Sequence, residues 1–368
     1  MAKKKLQDHT LTAVSLTQLM RLWGMYGVSP AYYPRFAHLA FTSVLALPLR
    51  LIDTLRSSGA VRRSRLEQAP VFVVGHPRSG TTHLHNLLCQ DERFGCATTF
   101  HCGATEMFLG LPSAVRMFMQ GMLPESRPMD NVKVGLDEPQ EEEMAMARIS
   151  AFSFNHGLHF PAKAREIFDR CVTFEAGSSQ DELRWKSDYD WFLRRINIDQ
   201  GGRQLCLKSP PNTARIRQLL DLFPEARFIH VYRNPYVVYA SVQALWRKVL
   251  PLLALQRYKA DDVEEILVYF FQRMIQRFYE DQPNVPEGQV TEVRFEDLEA
   301  DPIGELERVY ADVQLDGFDT VRPALQRYID SLAGYRKNRY EFEASVIRRV
   351  EDQWGFALER WKYDPPTE

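Results

Sequence analysis

Cysteine is scarce in this chain and is not arranged in metal-binding or disulfide patterns. The 368 residues include five cysteines, and no two of them form a C-x-x-C pair. An odd number without close spacing argues against a zinc site and against a disulfide framework, and it favours a reducing compartment. The sequence therefore predicts a cytoplasmic protein without a metal centre.

Excess charge and long apolar runs are also lacking. The formal net charge is −2, so overall charge favours neither nucleic acid nor anionic lipid as a partner, and any anion must be bound by local groups. We expect no secretory signal, because the lysines at positions 3–5 precede a polar stretch. The most apolar segment, residues 36–52, contains His38, Pro48 and Arg50 and is too interrupted to span a membrane. We predict a helix packed on the main domain, with a helix on a membrane surface or an acyl-pocket lining as alternatives.

One short stretch has the pattern of an anion-binding loop. Val71–Val74 is β-branched and aromatic, which predicts a strand buried on both faces, and a helical pattern begins at Thr81. A strand, a glycine-bounded loop and a helix N-terminus together form a cradle for anions. The spacing from Gly75 to Gly80 is that of the ATP-binding P-loop, but Thr81 stands where that motif needs lysine. The cation is Arg78, inside the loop, so an ordinary ATPase is not predicted.

Basic residues also follow two later predicted strands. The further strands are predicted at 96–100, 204–207, 227–232 and 290–295. Strands alternating with helices predict a mainly parallel, three-layer α/β sheet, which we assign to 67–368 with a helical N-terminal extension at 1–66. Ligands bind beyond the carboxyl ends of such strands. Lys208 and Arg233 lie at these ends, and Ser241 follows Arg233 by eight residues. Together with Arg78, this arrangement predicts a ligand with two separated phosphate groups.

These motifs resemble those of the sulfotransferase family. They are Pro-Arg-Ser-Gly-Thr-Thr at 77–82, Leu-Lys-Ser-Pro at 207–210, Arg-Asn-Pro at 233–235 and the serine at 241. The resemblance covers about 70–301 and is weaker beyond. It implies 3′-phosphoadenosine 5′-phosphosulfate (PAPS) as the sulfuryl donor, no required metal, and a small-molecule acceptor with a hydroxyl or amine.

We call residues 75–80, which follow the first predicted strand, the first loop. For the phosphosulfate end of PAPS, the resemblance implies roles for the first loop and for one lysine. Arg78 would hold the 5′-phosphosulfate and stabilise charge on its bridging oxygen. Lys208 would lie near the sulfuryl group during transfer. The 5′-phosphate would be cradled by backbone amides and hydroxyls of Ser79, Gly80, Thr81 and Thr82.

For the nucleoside end, the resemblance implies a second set of contacts. Arg233 and Ser241 would bind the 3′-phosphate, the group that distinguishes PAPS from ATP. Phe295 falls where relatives carry a tyrosine near the adenine. Arg336 and Lys337 are similar to the start of an Arg-Lys-Gly loop that closes over the cofactor, although asparagine replaces the glycine at position 338.

The sequence does not identify the general base by itself. Relatives carry a histidine two or four residues after the lysine, where this chain has Pro210 and Asn212. We predict His101 as the replacement, since relatives with a glutamate base carry it in this region. Glu106 and the acidic run 141–143 are the competing candidates.

The sequence therefore predicts a PAPS-dependent sulfotransferase. Its apolar segments favour a hydrophobic or lipid-like acceptor and peripheral membrane contact, without nucleic acid. Two alternatives stay open: a P-loop-type small-molecule kinase, and a non-catalytic nucleotide-binding protein with a degenerate active site. The oligomeric state does not follow from the sequence.

Overall fold

The structure, a computed structural model, describes residues 9–121, 135–332 and 342–366. The strands are β1 (Val71–Val74), β2 (Phe94–Gly95), β3 (Gln204–Lys208), β4 (Arg227–Tyr232) and β5 (Val290–Arg294). The first helices are α1 (Leu16–Tyr26), α2 (Tyr33–Leu45), α3 (Leu47–Arg63), α4 (Thr81–Leu88), α5 (Thr99–Gly103), α6 (Pro112–Gln120), α7 (Glu142–Ile149), α8 (His156–His159), α9 (Ala164–Cys171) and α10 (Ser179–Asp199). The later helices are α11 (Ile216–Leu222), α12 (Pro235–Leu253), α13 (Ala260–Asp281), α14 (Phe295–Ala300), α15 (Pro302–Asp312), α16 (Phe318–Ser331) and α17 (Ala344–Trp361). Short 3-10 turns lie at Pro30–Tyr32, Pro161–Lys163, Pro210–Ala214 and Gln282–Asn284.

The strands form one sheet, in the order β2-β3-β1-β4-β5. β1 is central and pairs in parallel with β3 and with β4, and β4 pairs in parallel with β5. All four residues of β1 are buried, as its uniformly apolar sequence predicts. The predicted mainly parallel, three-layer α/β fold is confirmed. Because the strand order changes direction at β1, the carboxyl end of β1 is where such sheets bind ligands.

One predicted strand is wrong. The sequence predicts a strand at 96–100, but β2 ends at Gly95 and α5 begins at Thr99. The Thr98 side chain accepts a hydrogen bond from the backbone N–H of His101, and the His101 side chain bonds back to the backbone N–H of Thr98. This capping box stabilises the first turn of a helix, which competes with strand formation.

The chain divides into two compact units. One unit contains the chain up to Gln68 together with Gly95–Gln204 and Trp246–Val263. The other contains Ala69–Phe94, Leu205–Leu245 and the chain from Glu264 onward. The N-terminal helices thus share a unit with two later segments of the chain.

Each unit has its own buried interior. In the sheet-containing unit, the apolar face of α4, with Leu84, Leu87 and Leu88, belongs to the same buried cluster as Val71 of β1 and Val231 of β4. This packing fixes the start of α4 at the carboxyl edge of the sheet. In the other unit, the rings of Trp185 and Tyr189 stack inside α10's buried face.

None of the individual helices in the described residues combines the length and the apolar composition that a membrane span needs. The consecutive segments Pro30–Leu45 and Leu47–Arg63 together have the length and apolar composition of a span, but they are bent by 46° relative to each other.

Candidate functional site

The loop after β1 has a backbone that few sequences tolerate. Gly75 and Gly80 have φ values of 143° and 102°, and Arg78 has a φ of 75°. A Cβ atom at Gly75 would lie 2.3 Å from the carbonyl oxygen of Val231, so this position requires glycine. An arginine with a left-handed backbone conformation costs about 1–3 kcal/mol, and it persists only where the surrounding structure imposes that conformation.

The loop leads directly into the N-terminus of α4. Gly80 is the N-cap, and among the described residues no side chain caps it. The first N–H groups of a helix have no partner within the helix, and the helix dipole favours an anion there. The Oγ of Ser79 is buried and has no hydrogen-bond partner within the described residues. The Gly75 N–H donates to Oγ1 of Thr213 at 2.7 Å, which ties the loop to the turn after β3. Sequence reasoning did not single out this threonine, and no motif marks it.

The first loop and helix α12 meet through two of the predicted site residues. Nε of Arg78 donates to Oγ of Ser241 at 2.8 Å. Ser241 is buried in α12, eight residues beyond Arg233. The two anion-binding motifs predicted from separate parts of the chain therefore lie side by side in one unit.

The Phe295 ring connects the same two regions. The guanidinium carbon of Arg233 lies 4.2 Å from the centroid of the Phe295 ring. The same ring leaves no space at Gly80, where a Cβ atom would come within 2.1 Å of a ring carbon. Phe295, which directly follows β5, thus lies close both to the loop after β1 and to Arg233.

Lys208 lies beside the start of α4. The pairing of β3 with β1 aligns Lys208 with Val73, two residues before the loop begins. Nζ of Lys208 donates to Oγ1 of Thr82 at 3.3 Å, and the side chain is buried. Arg78, Lys208, Arg233 and Ser241 all belong to the sheet-containing unit. Arg336 and Lys337 lie outside the described residues.

A histidine and two cysteines also come together next to α4. His85, Cys89 and Cys206 each offer a ligand atom, and these atoms lie within 4.8 Å of one another. Burial lowers the pKa of His85 to about 3, so this imidazole is neutral. The cysteine spacing gave no sign of this cluster, since its members come from a helix and a strand that are distant in sequence.

His101, in the other unit, is fully buried and has both ring nitrogens engaged. Nδ1 accepts from the backbone N–H of Thr98 at 3.1 Å. With Nδ1 accepting, the proton resides on Nε2, which donates to Oδ2 of Asp199 at 2.9 Å. To act as a base, this ring would first have to release the Thr98 N–H. Asp199 was not among the residues selected from the sequence.

Glu106 belongs to the same unit and lies in a basic environment. Burial raises the pKa of its carboxyl group, and Arg50, Arg148 and Arg195 oppose that shift. A carboxyl group with a raised pKa is closer to the working range of a general base. Sequence analysis missed these arginines, although a charge at Arg50 within the most apolar segment was a signal for a buried polar partner.

The acidic run at the start of α7 is engaged within its own unit. A carboxylate oxygen of Glu142 accepts from the Tyr189 hydroxyl at 2.8 Å. Glu143 accepts from the Ser153 hydroxyl at 2.8 Å and from the backbone N–H of Phe154 at 2.6 Å. Both residues are buried, and these hydrogen bonds help to hold α7 in place.

Comparison with known proteins identifies the family. Residues 70–320 match the model of the sulfotransferase family. The chain is 30% identical over 327 residues to the omega-hydroxy-beta-dihydromenaquinone-9 sulfotransferase Stf3 of Mycobacterium bovis, covering 89% of this chain and 84% of that protein. The same identity and coverage hold for Stf3 of Mycobacterium tuberculosis.

Two solved structures share the fold. Sulfotransferase STF9 of Mycobacterium avium aligns with a TM-score of 0.68 at 18% identity, over 96% of this chain and 98% of that one. Sulfotransferase STF1 of Mycobacterium tuberculosis aligns with a TM-score of 0.61 at 19% identity, over 92% of this chain and 90% of that one. The phosphate-type loop with its internal arginine and the match over 70–320 lead to one conclusion: the chain belongs to the sulfotransferase family.

Proposed function

We propose that this enzyme transfers a sulfuryl group from PAPS to a hydroxyl group of a small, lipid-like acceptor. The observation that carries the proposal is the 2.8 Å hydrogen bond from Arg78 to Ser241, which brings the two anion-binding motifs next to each other. One nucleotide with phosphates at both ends can engage both motifs only if they are adjacent.

The residues of the first loop fit a phosphosulfate group. The buried Oγ of Ser79 has no partner among the described residues, and a bound phosphate oxygen would satisfy it. The glycines at 75 and 80 leave no room for a side chain, and such loops bring backbone N–H groups close to a phosphate. PAPS would supply the sulfuryl group and leave as adenosine 3′,5′-bisphosphate.

The basic residues divide between the two ends of the donor. Arg78 and Lys208 would stabilise charge on the phosphosulfate, since positioned cations are worth most where charge develops. Arg233 and Ser241 would hold the 3′-phosphate, with the Phe295 ring supporting the Arg233 guanidinium from one face. Backbone N–H groups of Ser79 to Thr82 would complete the cradle for the 5′-phosphate.

A general base would take the proton of the acceptor hydroxyl, and His101, Glu106 and the acidic run 141–143 are the candidates. Glu106 is favoured by a carboxyl pKa that burial raises. His101 would need to break its hydrogen bond with Thr98 to expose a lone pair. The positive charges of Arg50, Arg148 and Arg195 oppose the effect of burial on this carboxyl pKa.

The acceptor class is proposed from one relative and from composition. Stf3 is named for its action on omega-hydroxy-beta-dihydromenaquinone-9, a compound whose name combines a hydroxyl group with a long-chain quinone. The apolar N-terminal segments of this chain are consistent with an acceptor of the same kind. We therefore propose an alcohol at the end of an apolar chain.

Calorimetric titration and an activity assay test this proposal. We expect adenosine 3′,5′-bisphosphate to bind without magnesium and at least tenfold more tightly than ATP. We expect radiolabelled sulfate to pass from PAPS to long-chain alcohols but not to short ones. Preferential binding of Mg-ATP with phosphorylated product would point to a kinase instead. Tight binding of the bisphosphate without transfer to any alcohol would point to a non-catalytic binding protein.

A further inference from the structure

Helices α2 and α3 present apolar side chains outward. We define the N-terminal apolar face as Phe41, Val44, Leu45, Leu47, Leu51 and Leu55. These side chains are between 48% and 83% exposed. Single exposed apolar residues are common on proteins, but a run of large ones at helical spacing marks an interaction surface.

The inward side of α3 is polar, which reverses the usual amphipathic pattern. Arg50, Asp53 and Ser57 are buried, whereas Leu51 and Leu55 are exposed. Oδ2 of Asp53 accepts from Arg195 at 2.7 Å and from Ser57 at 3.1 Å. Oδ1 accepts from the backbone N–H groups of Leu109 and Gly110 at 2.8 and 2.7 Å. Polar contacts therefore seat the helix on its unit, and the leucines face away from it.

The same segment is strongly basic. Residues 9–66 contain seven arginines and one acidic residue, Asp53, although the whole chain has a net charge of −2. Asp53 is already paired with Arg195. Arg62 follows Leu55 by seven residues, so it lies on the same side of α3 at the end of the face, and both Arg62 and Arg63 are exposed. Apolar side chains bordered by arginines are typical of helices that lie on anionic lipid surfaces.

We propose that the N-terminal apolar face docks this protein on a bilayer surface that contains anionic lipids. The helices would lie in the interface rather than cross it, since crossing would break the buried bond between Asp53 and Arg195. A second copy of the chain fits the face less well. In a symmetric dimer each copy would present this same face, and Arg62 and Arg63 would find no acidic partner in it, because the acidic residue of residues 41–63 is Asp53, which is buried and paired with Arg195.

Vesicle binding tests the docking surface without using the donor or the acceptor, so it stands independently of the proposed function. We expect the full chain to bind vesicles containing phosphatidylglycerol at least tenfold more tightly than pure phosphatidylcholine vesicles. The Leu51→Glu/Leu55→Glu variant should bind these vesicles about tenfold or more weakly, because it removes apolar surface that would enter the bilayer and adds negative charge. Arg62→Glu/Arg63→Glu should lose the preference for anionic vesicles.

Leu183→Glu is the matched control, since Leu183 is also an exposed leucine, at 63%, but lies on α10. It should bind vesicles like the parent protein. Circular dichroism checks that each variant is folded. Three results would each overturn the proposal: no binding of the parent to anionic vesicles, an equal loss in Leu183→Glu, or a dimer-to-monomer change in Leu51→Glu/Leu55→Glu with vesicle binding intact.

Discussion

Arg78 donates from Nε to the Oγ of Ser241 at 2.8 Å, although 163 positions separate the two residues in the chain. Each residue was selected for a different end of the nucleotide. Their contact places the first loop against α12, and it gives the guanidinium a fixed orientation before any ligand binds. A preorganised cation loses less side-chain entropy when it binds an anion.

The contact between Arg78 and Ser241 can be measured with a double-mutant cycle. We expect Arg78→Ala to weaken the binding of adenosine 3′,5′-bisphosphate by about 1.5–3 kcal/mol, the usual contribution of a hydrogen bond to a charged group. Ser241→Ala should weaken this binding less. The two changes should be non-additive by about 0.5 kcal/mol or more, because the side chains touch. Calorimetric titration of the four proteins gives these values. Strict additivity would mean that the two side chains act independently on the ligand.

The backbone at Gly80 is a second point of sensitivity. We expect Gly80→Ala to destabilise the fold and to weaken bisphosphate binding, because φ is 102° and the added Cβ would come within 2.1 Å of the Phe295 ring. The expected loss in the free energy of unfolding is about 1–3 kcal/mol. Gly24→Ala is the control, since Gly24 lies in α1 with no heavy atom of the described residues within 4 Å of the new Cβ. It should be neutral or stabilising by up to about 1 kcal/mol. Equal melting temperatures for the two variants would contradict the argument.

The identity of the base can be decided by kinetics. We expect Glu106→Gln to lower kcat by about 100-fold or more while bisphosphate binding stays within twofold, because a general base acts on the acceptor and not on the nucleotide. In the parent enzyme, kcat should fall as pH drops through a carboxyl pKa that burial has raised above its usual value, since the base must be unprotonated.

His101→Gln is the matched comparison for that experiment. If Glu106 is the base, this variant should affect kcat mainly through local packing, with the pH profile unchanged. A much larger loss of kcat in His101→Gln, with loss of the acidic limb, would assign the base to His101. Arg233→Ala should instead weaken bisphosphate binding, and similar losses of binding in Arg233→Ala and His101→Gln would contradict the division of roles.

We expect the protein to lose stability in mild acid because three of its histidines are buried next to one another. The rings of His9 and His159 stack at 5.3 Å, and Nδ1 of His156 lies 3.3 Å from Nδ1 of His159. Burial lowers the pKa of His9 and of His156 to about 4, and it also lowers that of His159. Between about pH 6.5, the usual histidine pKa, and about pH 4, the unfolded chain binds protons that the folded chain does not. The free energy of unfolding therefore decreases as the pH is lowered through this range.

The expected decrease is on the order of a few kcal/mol between pH 7 and pH 4.5, since one pKa unit corresponds to about 1.4 kcal/mol. Urea unfolding at a series of pH values measures it. His156→Gln cannot acquire this charge and should lose less stability over the same range. A flat dependence in the parent protein would show that these rings charge without cost.

The cradle could be predicted because its determinants are local. The apolar run of β1, the glycines at 75 and 80, and the helical pattern from Thr81 lie within a few residues of one another, so the sequence alone determined a strand, a glycine-bounded loop and a helix in that order. The positions of Lys208 and Arg233 at strand ends followed from the alternation of strands and helices. Only their side-by-side arrangement had to come from the fold.

Tertiary structure alone decided the remaining features. The sheet order placed β1 between β3 and β4 and brought Arg78 to Ser241, because pairing between distant strands leaves no local trace in the sequence. The capping box at Thr98 made a helix where the composition predicts a strand. The arginines around Glu106 and the outward leucines of α3 depend on which face of each helix is buried. That choice is a property of the whole packed unit and not of any single segment.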